Sequence, residues 1–295
     1  MYSQIASNKR KSVILTMVFI AMIIGLGYIY SRASGDETYS GVWIAIIISL
    51  GSTLVSYFQG DKIALWSSGA RPISEEDNKY VYRLVENLCI TSGLPVPKIY
   101  IIEDNAINAF ATGRKPEMAS VAITRGAITY LENEELEGVL AHELSHIQNY
   151  DIRFMTLVAV MVGSISILAH IFLRSRLLFG GRRGREGGQV GGILMLVGIV
   201  LAILSPLIAE LIKLAISRRR EFLADASGAL LTRYPEGLAR ALEKIAAHNQ
   251  PMPEVSRATA HMFFSNPFKS STVKSLFSTH PPLDDRIKKL RESGA

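Results

Sequence analysis

Four long apolar runs constrain what this 295-residue chain can fold into. They occupy residues 13–30, 42–58, 154–173 and 191–217. A helix of 18 residues is about 27 Å long, which is close to the roughly 30 Å thickness of the hydrocarbon layer of a bilayer. The sequence therefore predicts four hydrophobic, mostly transmembrane helices. This excludes an all-soluble enzyme, a disordered regulator and a disulfide-stapled secreted domain.

The first two runs are joined by a short link at residues 31–40, which predicts a helical hairpin with both of its ends on one side of the membrane. A cleavable signal peptide is the alternative for the first run. The run is long for the apolar part of such a peptide, and no small-x-small cleavage site lies next to it. We therefore expect the first helix to remain in the mature protein.

Basic residues are concentrated at the borders of the apolar runs. Lys9, Arg10 and Lys11 precede the first run, residues 218–220 follow the fourth, and five arginines lie within residues 174–185. This distribution is typical of contact with anionic lipid headgroups rather than with nucleic acid. The single cysteine, Cys89, excludes an internal disulfide and favours a reducing compartment. We expect a multi-pass protein in a lipid bilayer, with its soluble part in the cytoplasm.

The segments between the runs predict a mixture of helices and strands. Residues 98–103 and 120–124 are rich in β-branched side chains and predict strands, and residues 108–114 predict a short hairpin or an edge strand. A helix is expected from Ser74 as its N-cap to about Thr91. A second helix is expected to begin after Asn133 and to continue without a break into the third run. Further helices are expected over residues 221–231, 235–248 and 284–290.

The motif His142-Glu143-Leu144-Ser145-His146 carries the chemistry. Two histidines four residues apart on a helix point to one side and can hold one zinc ion. Glu143 lies near the open coordination position, where its carboxylate can take a proton from the attacking water. The alternative is that the two histidines merely form hydrogen bonds on a polar helix face.

A catalytic zinc site needs a third protein ligand. The candidates are Asp151, Glu210, Glu221, Asp225, His170, His248 and His280. Asp151 is too near in sequence on the same expected helix. Glu221 is favoured because Glu221 and Asp225 form a second i, i+4 pair, in which one carboxylate can bind the metal and the other can accept the ring N–H of a ligand histidine. The alternative is that Glu221 pairs with a neighbouring arginine.

These motifs, together with Asn108-Ala109-Phe110-Ala111 and His280-Pro281, resemble the HtpX family of bacterial membrane metalloproteases over essentially the whole chain. That family is related to the CAAX prenyl protease and to minigluzincins. The resemblance implies a gluzincin-like α+β catalytic domain on a membrane anchor, with one Zn²⁺ per chain. It also implies endoproteolysis of damaged or misfolded membrane proteins, or of unfolded polypeptides, at the cell inner membrane, as part of protein quality control and the stress response.

The resemblance also assigns roles to residues. His142, His146 and Glu221 match the zinc ligands, Glu143 matches the general base, and Asp225 matches an acid that supports a ligand histidine. The segment formed by Asn108, Ala109, Phe110 and Ala111 matches one that aligns the substrate backbone, which agrees with an edge strand that accepts an extended peptide. His280 matches a histidine that stabilises the transition state.

The predicted organisation has four parts. Residues 1–60 form a transmembrane hairpin, 61–153 the first part of the catalytic domain, 154–217 a second hydrophobic hairpin, and 218–295 the second catalytic part with the third ligand. Because residue 221 must return to the zinc, the second hairpin is expected to span with its arginine loop outside, contrary to the positive-inside bias. A re-entrant or membrane-surface arrangement is the alternative. A CAAX-type processing peptidase and a non-enzymatic membrane adaptor are the alternative functions. The oligomeric state is left open.

Overall fold

The computed structural model describes most of the chain: residues 2–34, 36–179, 218–248, 250–252, 255–256, 258–268 and 281–294. The fourth apolar run and most of the arginine loop lie outside the described residues, as do Glu210 and His280. The predictions that the second hairpin spans and that its loop is external therefore remain predictions. So does the division of the chain into four parts.

The N-terminal helical hairpin is present. Helix α1 (Tyr2–Ser34) and helix α2 (Ser40–Ser67) extend beyond the apolar runs at both ends. They approach so closely that a Cβ atom at Gly27 would clash with the backbone carbonyl of Gly41. Asp36 closes the turn between the two helices. Its carboxylate accepts hydrogen bonds from the backbone N–H and the hydroxyl of both Thr38 and Ser40, at 2.6 to 3.0 Å.

Two helices of the described residues are long and apolar enough to cross a membrane, Ile5–Arg32 and Ser40–Ser67. A third span is reached only if Asn133–Gln148 and Asp151–Ile167 are counted as one broken span. Large apolar side chains on the two N-terminal helices are exposed, among them Val13, Ile14, Met17, Trp43, Ile44, Ile47, Leu50 and Leu54. Such faces suit hydrocarbon rather than water.

A four-stranded sheet forms the frame of the catalytic domain. It contains β1 (Arg71–Pro72), β2 (Lys98–Ile102), β3 (Ala109–Gly113) and β4 (Ala119–Thr124) in the order β1-β2-β4-β3. Strands β2 and β4 are parallel, and β3 pairs with β4 in antiparallel fashion. The segment expected as a hairpin or an edge strand is thus both, because β3 forms a hairpin with β4 and lies at the sheet edge.

Helix α3 (Lys79–Ser92) begins later than expected. Its N-cap is Asn78, whose side chain accepts the N–H of Val81, and the prediction of Ser74 as the cap is wrong. The reason is that Asp77 accepts hydrogen bonds from both the backbone and the hydroxyl of Ser74, at 2.7 Å each. That local turn uses the Ser74 hydroxyl and ends before the helix begins.

After a short helix, α4 (Arg125–Tyr130), the central helix α5 (Asn133–Gln148) lies in the main hydrophobic core. Its N-cap is Glu132 rather than Asn133, and the side chains of Glu132 and Glu135 form a reciprocal capping box. Twelve of its residues are buried, so both flanks of the helix contact other elements. The helix is therefore enclosed between the sheet and the C-terminal helices.

The chain turns sharply after α5. Helix α6 (Asp151–Phe179) leaves α5 at an angle of 85°, so the prediction of one unbroken helix is wrong. Asn149 ends α5, and Tyr150 has a left-handed backbone with φ of 59°. No proline or glycine occurs at the corner, so the bend depends on tertiary contacts.

Three helices complete the catalytic domain: α7 (Arg218–Thr232), α8 (Pro235–Ala247) and α9 (Leu283–Gly294). Helix α7 packs directly on α5, where a Cβ at Gly228 would lie 3.0 Å from the backbone nitrogen of His142. This close approach brings the carboxylates of α7 next to the histidine motif. The α+β fold class expected from the sequence is confirmed.

Candidate metal centre

Two histidines of α5 face each other in the interior. Both His142 and His146 are buried, their rings meet edge to face with centroids 4.8 Å apart, and their Nε2 atoms are 3.1 Å apart. Helical i, i+4 spacing produces this arrangement, as the motif predicts. Both rings therefore lie in the interior of the protein and not on a solvent-exposed helix face.

Helix α7 adds a carboxylate to the pair. Glu221 is buried, and its oxygens lie 3.8 Å from Nε2 of His142 and 3.6 Å from Nε2 of His146. One ligand atom from each of these three residues falls within 4.8 Å of the others. Ligand atoms on a tetrahedral zinc ion are separated by about 3.3 Å, given Zn–N bonds near 2 Å. The three side chains could therefore hold one metal ion with small adjustments.

The hydrogen bonds behind the histidines also favour a cation. Nδ1 of His142 lies 2.9 Å from Oδ1 of Asp225, and Nδ1 of His146 lies 3.1 Å from Oδ2 of Asp151. A carboxylate only accepts hydrogen bonds when ionised, so each Nδ1 carries a proton. In neutral rings the two Nε2 atoms then present lone pairs towards each other, which a metal ion satisfies.

Asp225 is held from the C-terminal helix by Arg286. The guanidinium of Arg286 is fully buried and donates to both oxygens of Asp225, at 2.6 and 2.8 Å. Burial alone would raise the pKa of Asp225, but the charge of Arg286 and the contact with His142 lower it to about 2. The carboxylate is therefore ionised and available to the ring N–H of His142.

Glu143 is buried beside the same three side chains. Burial raises its pKa to about 7, while the charge of His146 and a hydrogen bond from the backbone N–H of Ala111 oppose the increase. A carboxylate with a pKa near neutrality can accept a proton and release it again within one reaction cycle. This property suits a general base that later acts as an acid.

The two histidines are both buried, but their pKa values shift in opposite directions. Burial lowers the pKa of His142 to about 4, although the hydrogen bond with Asp225 opposes this. For His146 the hydrogen bond with Asp151 and the charge of Glu221 outweigh burial and raise the pKa to about 9. The excess negative charge around His146 is a further feature that a bound cation would compensate.

The edge of β3 is partly covered by the chain itself. The carbonyl of Ala109 accepts the N–H of Phe264 at 2.8 Å. The side-chain amide of Asn108 donates to the carbonyl of Ser265 and accepts its N–H, both at 3.0 Å. The sequence led us to expect these groups to face a peptide substrate. A peptide could add at Asn108 and Ala109 only by exchanging with residues 264–265.

Phe110 does not offer a side chain to a substrate on this edge, because its ring is buried against that of Phe263 at a centroid distance of 4.8 Å. Ala111 is different, since its N–H reaches Glu143. Among the substrate-aligning residues predicted from the sequence, Ala111 contacts the candidate catalytic group.

Other candidates from the sequence lie elsewhere. His248 is exposed at the end of α8, where its Nδ1 lies 3.0 Å from the carbonyl of Lys244. Sequence reasoning considered Asp151 only as a ligand and overlooked Arg286. Asp151 was set aside because it was expected on the same helix as His146, and the bend that brings its carboxylate to that ring was not foreseen. Arg286 lies in a polar terminal helix, a pattern that is typical of an exposed face.

Comparison with known proteins decides the family. The model of peptidase family M48 matches residues 75–293, a range that contains all three candidate ligands. The chain belongs to peptidase family M48. This M48 chain is 42% identical over 294 residues to a protease HtpX homolog of Tropheryma whipplei (strain Twist). The alignment covers 100% of this chain and 99% of the relative.

A second HtpX homolog, from Dictyoglomus turgidum, is 45% identical over 294 residues, covering 99% of this M48 chain and 95% of the relative. The crystal structure of S. mikatae Ste24p matches with a TM-score of 0.54 and 19% identity, covering 98% of this chain and 67% of Ste24p. The latter likeness concerns the fold alone. The resemblance to the HtpX family is confirmed, and the chain is a membrane metalloprotease of the M48 family.

Proposed function

We propose that the protein is a zinc-dependent endopeptidase that cleaves damaged or unfolded polypeptides at the membrane, in the manner of protein quality control. The observation that carries this proposal is the buried group of His142, His146 and Glu221 with Glu143 beside it. Two imidazoles and one carboxylate form a donor set that suits zinc. Three protein ligands leave one position for water or substrate.

A bound zinc ion would polarise the scissile carbonyl and lower the pKa of the attacking water. Glu143 takes the proton of that water and passes it to the leaving amine. Its near-neutral pKa supports both steps. Asp225 and Asp151 keep His142 and His146 in the tautomer that presents Nε2 to the metal. For the transition state we retain His280 only as an expectation from the family.

The proposed cytoplasmic location rests on charge and packing. The end of α2 contacts the catalytic domain, since Ala64 and Leu65 share a hydrophobic cluster with Ile102 and Phe110 of the sheet. The start of α1, with Lys9 and its basic neighbours, lies on the same side. Positive charge next to the first span favours the cytoplasm for that side. Membrane-bound and unfolded polypeptides are accessible substrates from there.

The experiment compares the wild type with Glu143→Gln and Glu221→Ala in full-length protein. Zinc content is measured together with cleavage of an unfolded polypeptide. Glu143→Gln should keep one zinc per chain and lose cleavage by at least about 100-fold, because an amide fits the space but accepts no proton. Glu221→Ala should lose zinc as well as cleavage. Wild-type turnover in Glu143→Gln would remove this residue from the mechanism, and a wild type without zinc would favour the adaptor.

A further inference from the structure

Asn8 is a buried polar residue near the start of the first apolar helix. Its exposure is 4%, although the helix around it faces outward at many positions. The side-chain amide nitrogen donates two hydrogen bonds, to the carbonyl of Asn149 at 3.1 Å and to Oδ1 of Asp151 at 2.6 Å. A buried polar group in an apolar helix generally has a specific partner and a specific task.

The two acceptors lie on either side of the corner between α5 and α6. Asn149 is the C-cap of α5, and Asp151 is the first residue of α6. Tyr150, between them, has the left-handed backbone. One amide group of α1 therefore spans the 85° bend. The corner is otherwise made of residues that could continue a helix, so Asn8 helps to select the bent form.

Asp151 connects this corner to the metal centre. While Oδ1 accepts from Asn8, Oδ2 faces Nδ1 of His146 at 3.1 Å. Arg220 is a further group that faces Asp151, at 3.8 Å. The chain of contacts thus runs from the amide of α1 through one carboxylate to an imidazole whose other nitrogen faces the candidate metal position.

We infer that Asn8 is a positioning residue of the metal centre, which orients Asp151 and through it His146, so that metal affinity depends on the docking of the first apolar helix. The inference rests on the proposed zinc protease. Helix α1 also packs on α6 through an apolar cluster that includes Phe19, Phe154 and Val158, which places Asn8 at the corner. The soluble domain is then complete only with its membrane helix attached.

The amide is suited to this place because it presents two N–H donors on one nitrogen. Asn8→Asp keeps the shape but turns an acceptor towards a carbonyl and a carboxylate. Asn8→Leu keeps the volume, suits an apolar helix and removes both donors. Ser12→Ala is the matched control, because Ser12 is equally buried one turn later and its hydroxyl donates to the carbonyl of Asn8 within α1.

The test uses full-length protein in detergent, with zinc affinity measured by competition with a chromogenic chelator. We expect Asn8→Leu to weaken zinc binding about tenfold, the lower end of the range for groups that support metal ligands. Asn8→Asp should weaken it further. Ser12→Ala should match the wild type. If Asn8→Leu binds zinc as tightly as Ser12→Ala while both cleave substrate, the inference is wrong and the proposed function stands.

A double-mutant cycle with Asp151→Ala separates positioning from a general loss of stability. If Asn8 acts through Asp151, adding Asn8→Leu to Asp151→Ala produces little further loss of zinc affinity. Independent effects would instead multiply, and full multiplication would overturn the inference. Absence of zinc from the wild type would overturn the proposed function itself, together with the inference that rests on it.

Discussion

Each histidine of the metal centre contacts an aspartate, but the groups that hold the two aspartates differ. Each ring places Nδ1 against an aspartate, at 2.9 Å for His142 and 3.1 Å for His146. On the His142 side, the aspartate is held by the fully buried guanidinium of Arg286 from the C-terminal helix. On the His146 side, the neutral amide of Asn8 from the N-terminal apolar helix makes the equivalent contact.

This difference separates two sources of rigidity. A guanidinium that donates to both oxygens of a carboxylate combines charge with fixed geometry, and inside a protein neither partner tolerates the loss of the other. Burying a neutral amide costs less free energy than burying a charge, and its removal leaves its hydrogen-bond partner with a smaller unpaired penalty. The His142 side is therefore held by a short charge pair within the soluble domain. On the His146 side the short contact comes from the amide of a membrane helix, and the guanidinium of Arg220 lies farther from Asp151, at 3.8 Å. Four predictions test this comparison.

The largest effect is expected for Arg286→Met. The change leaves the buried carboxylate of Asp225 without its cation, which typically costs about 3–5 kcal/mol of folding free energy. We expect a large decrease in the thermal unfolding temperature and loss of bound zinc. Lys288→Met on the same helix is the control, because the Lys288 side chain is 76% exposed. Equal unfolding temperatures for these two variants would contradict the importance of the charge pair.

The next effect compares Asp225→Ala with Asp151→Ala. Both remove the acceptor for a histidine N–H, and such changes typically lower metal affinity or activity by 10 to 100-fold. Asp225→Ala should be the more severe, because it also leaves the guanidinium of Arg286 buried without its partner. Chelator competition measures both affinities under one condition. If Asp151→Ala weakens zinc binding as much as Asp225→Ala, the two sides are not different in the way proposed.

Sequence reasoning reached the local part of this site and missed its supports. Glu143 and the two histidines could be placed because i, i+4 spacing on a helix is a local property of the backbone. The pairing of Glu221 with them needed a second helical motif, which the sequence also contains. The contact between Asp151 and His146 depends on a bend that no proline or glycine marks, since a contact with Asn8, 143 residues away from Asp151, helps to hold it.

The burial of Arg286 could not be predicted from the sequence either. Its terminal helix is rich in charged residues, and such a pattern is typical of a solvated face. The structure buries this one guanidinium completely because a carboxylate of α7 and the ring of Phe264 surround it. Which of the two arginines of this helix is buried depends on tertiary contacts. Strands β2, β3 and β4 could be predicted, whereas the two-residue strand β1 and the contacts of the β3 edge with residues 264–265 could not.

A smaller effect on the metal is expected for Asn108→Ala, since Asn108 contacts neither histidine. The change removes both hydrogen bonds to the partly buried Ser265, and a fully buried backbone group left unpaired costs about 1–3 kcal/mol, so the loss here lies at the lower end of that range. We expect lower thermal stability and a higher KM for a peptide substrate, with zinc affinity within about twofold of the wild type. The control is Asn87→Ala, which removes an exposed amide. A loss of zinc comparable to that of Asp151→Ala would show that the edge of β3 supports the metal centre directly.

The smallest effect is expected for Tyr150→Gly at the corner itself. Tyr150 has a φ of 59°, a conformation that glycine adopts without the steric cost paid by other residues. The ring also contacts the ammonium of Lys9, 4.5 Å from the ring centroid, and such a contact at an exposed site contributes about 0.5–1 kcal/mol. The relief of backbone strain and the loss of this contact are similar in size and opposite in sign.

We therefore expect the unfolding free energy of Tyr150→Gly to stay within about 1 kcal/mol of the wild type. Zinc affinity should not change, because Asn8 forms its hydrogen bonds with Asn149 and Asp151 and not with the Tyr150 side chain. Tyr150→Ala loses the ring without relieving the backbone and should be the less stable of the two. If Tyr150→Gly instead weakened zinc binding as strongly as Asn8→Leu, the bend would be held by the backbone of Tyr150. The support of His146 would then belong to the corner rather than to the membrane helix.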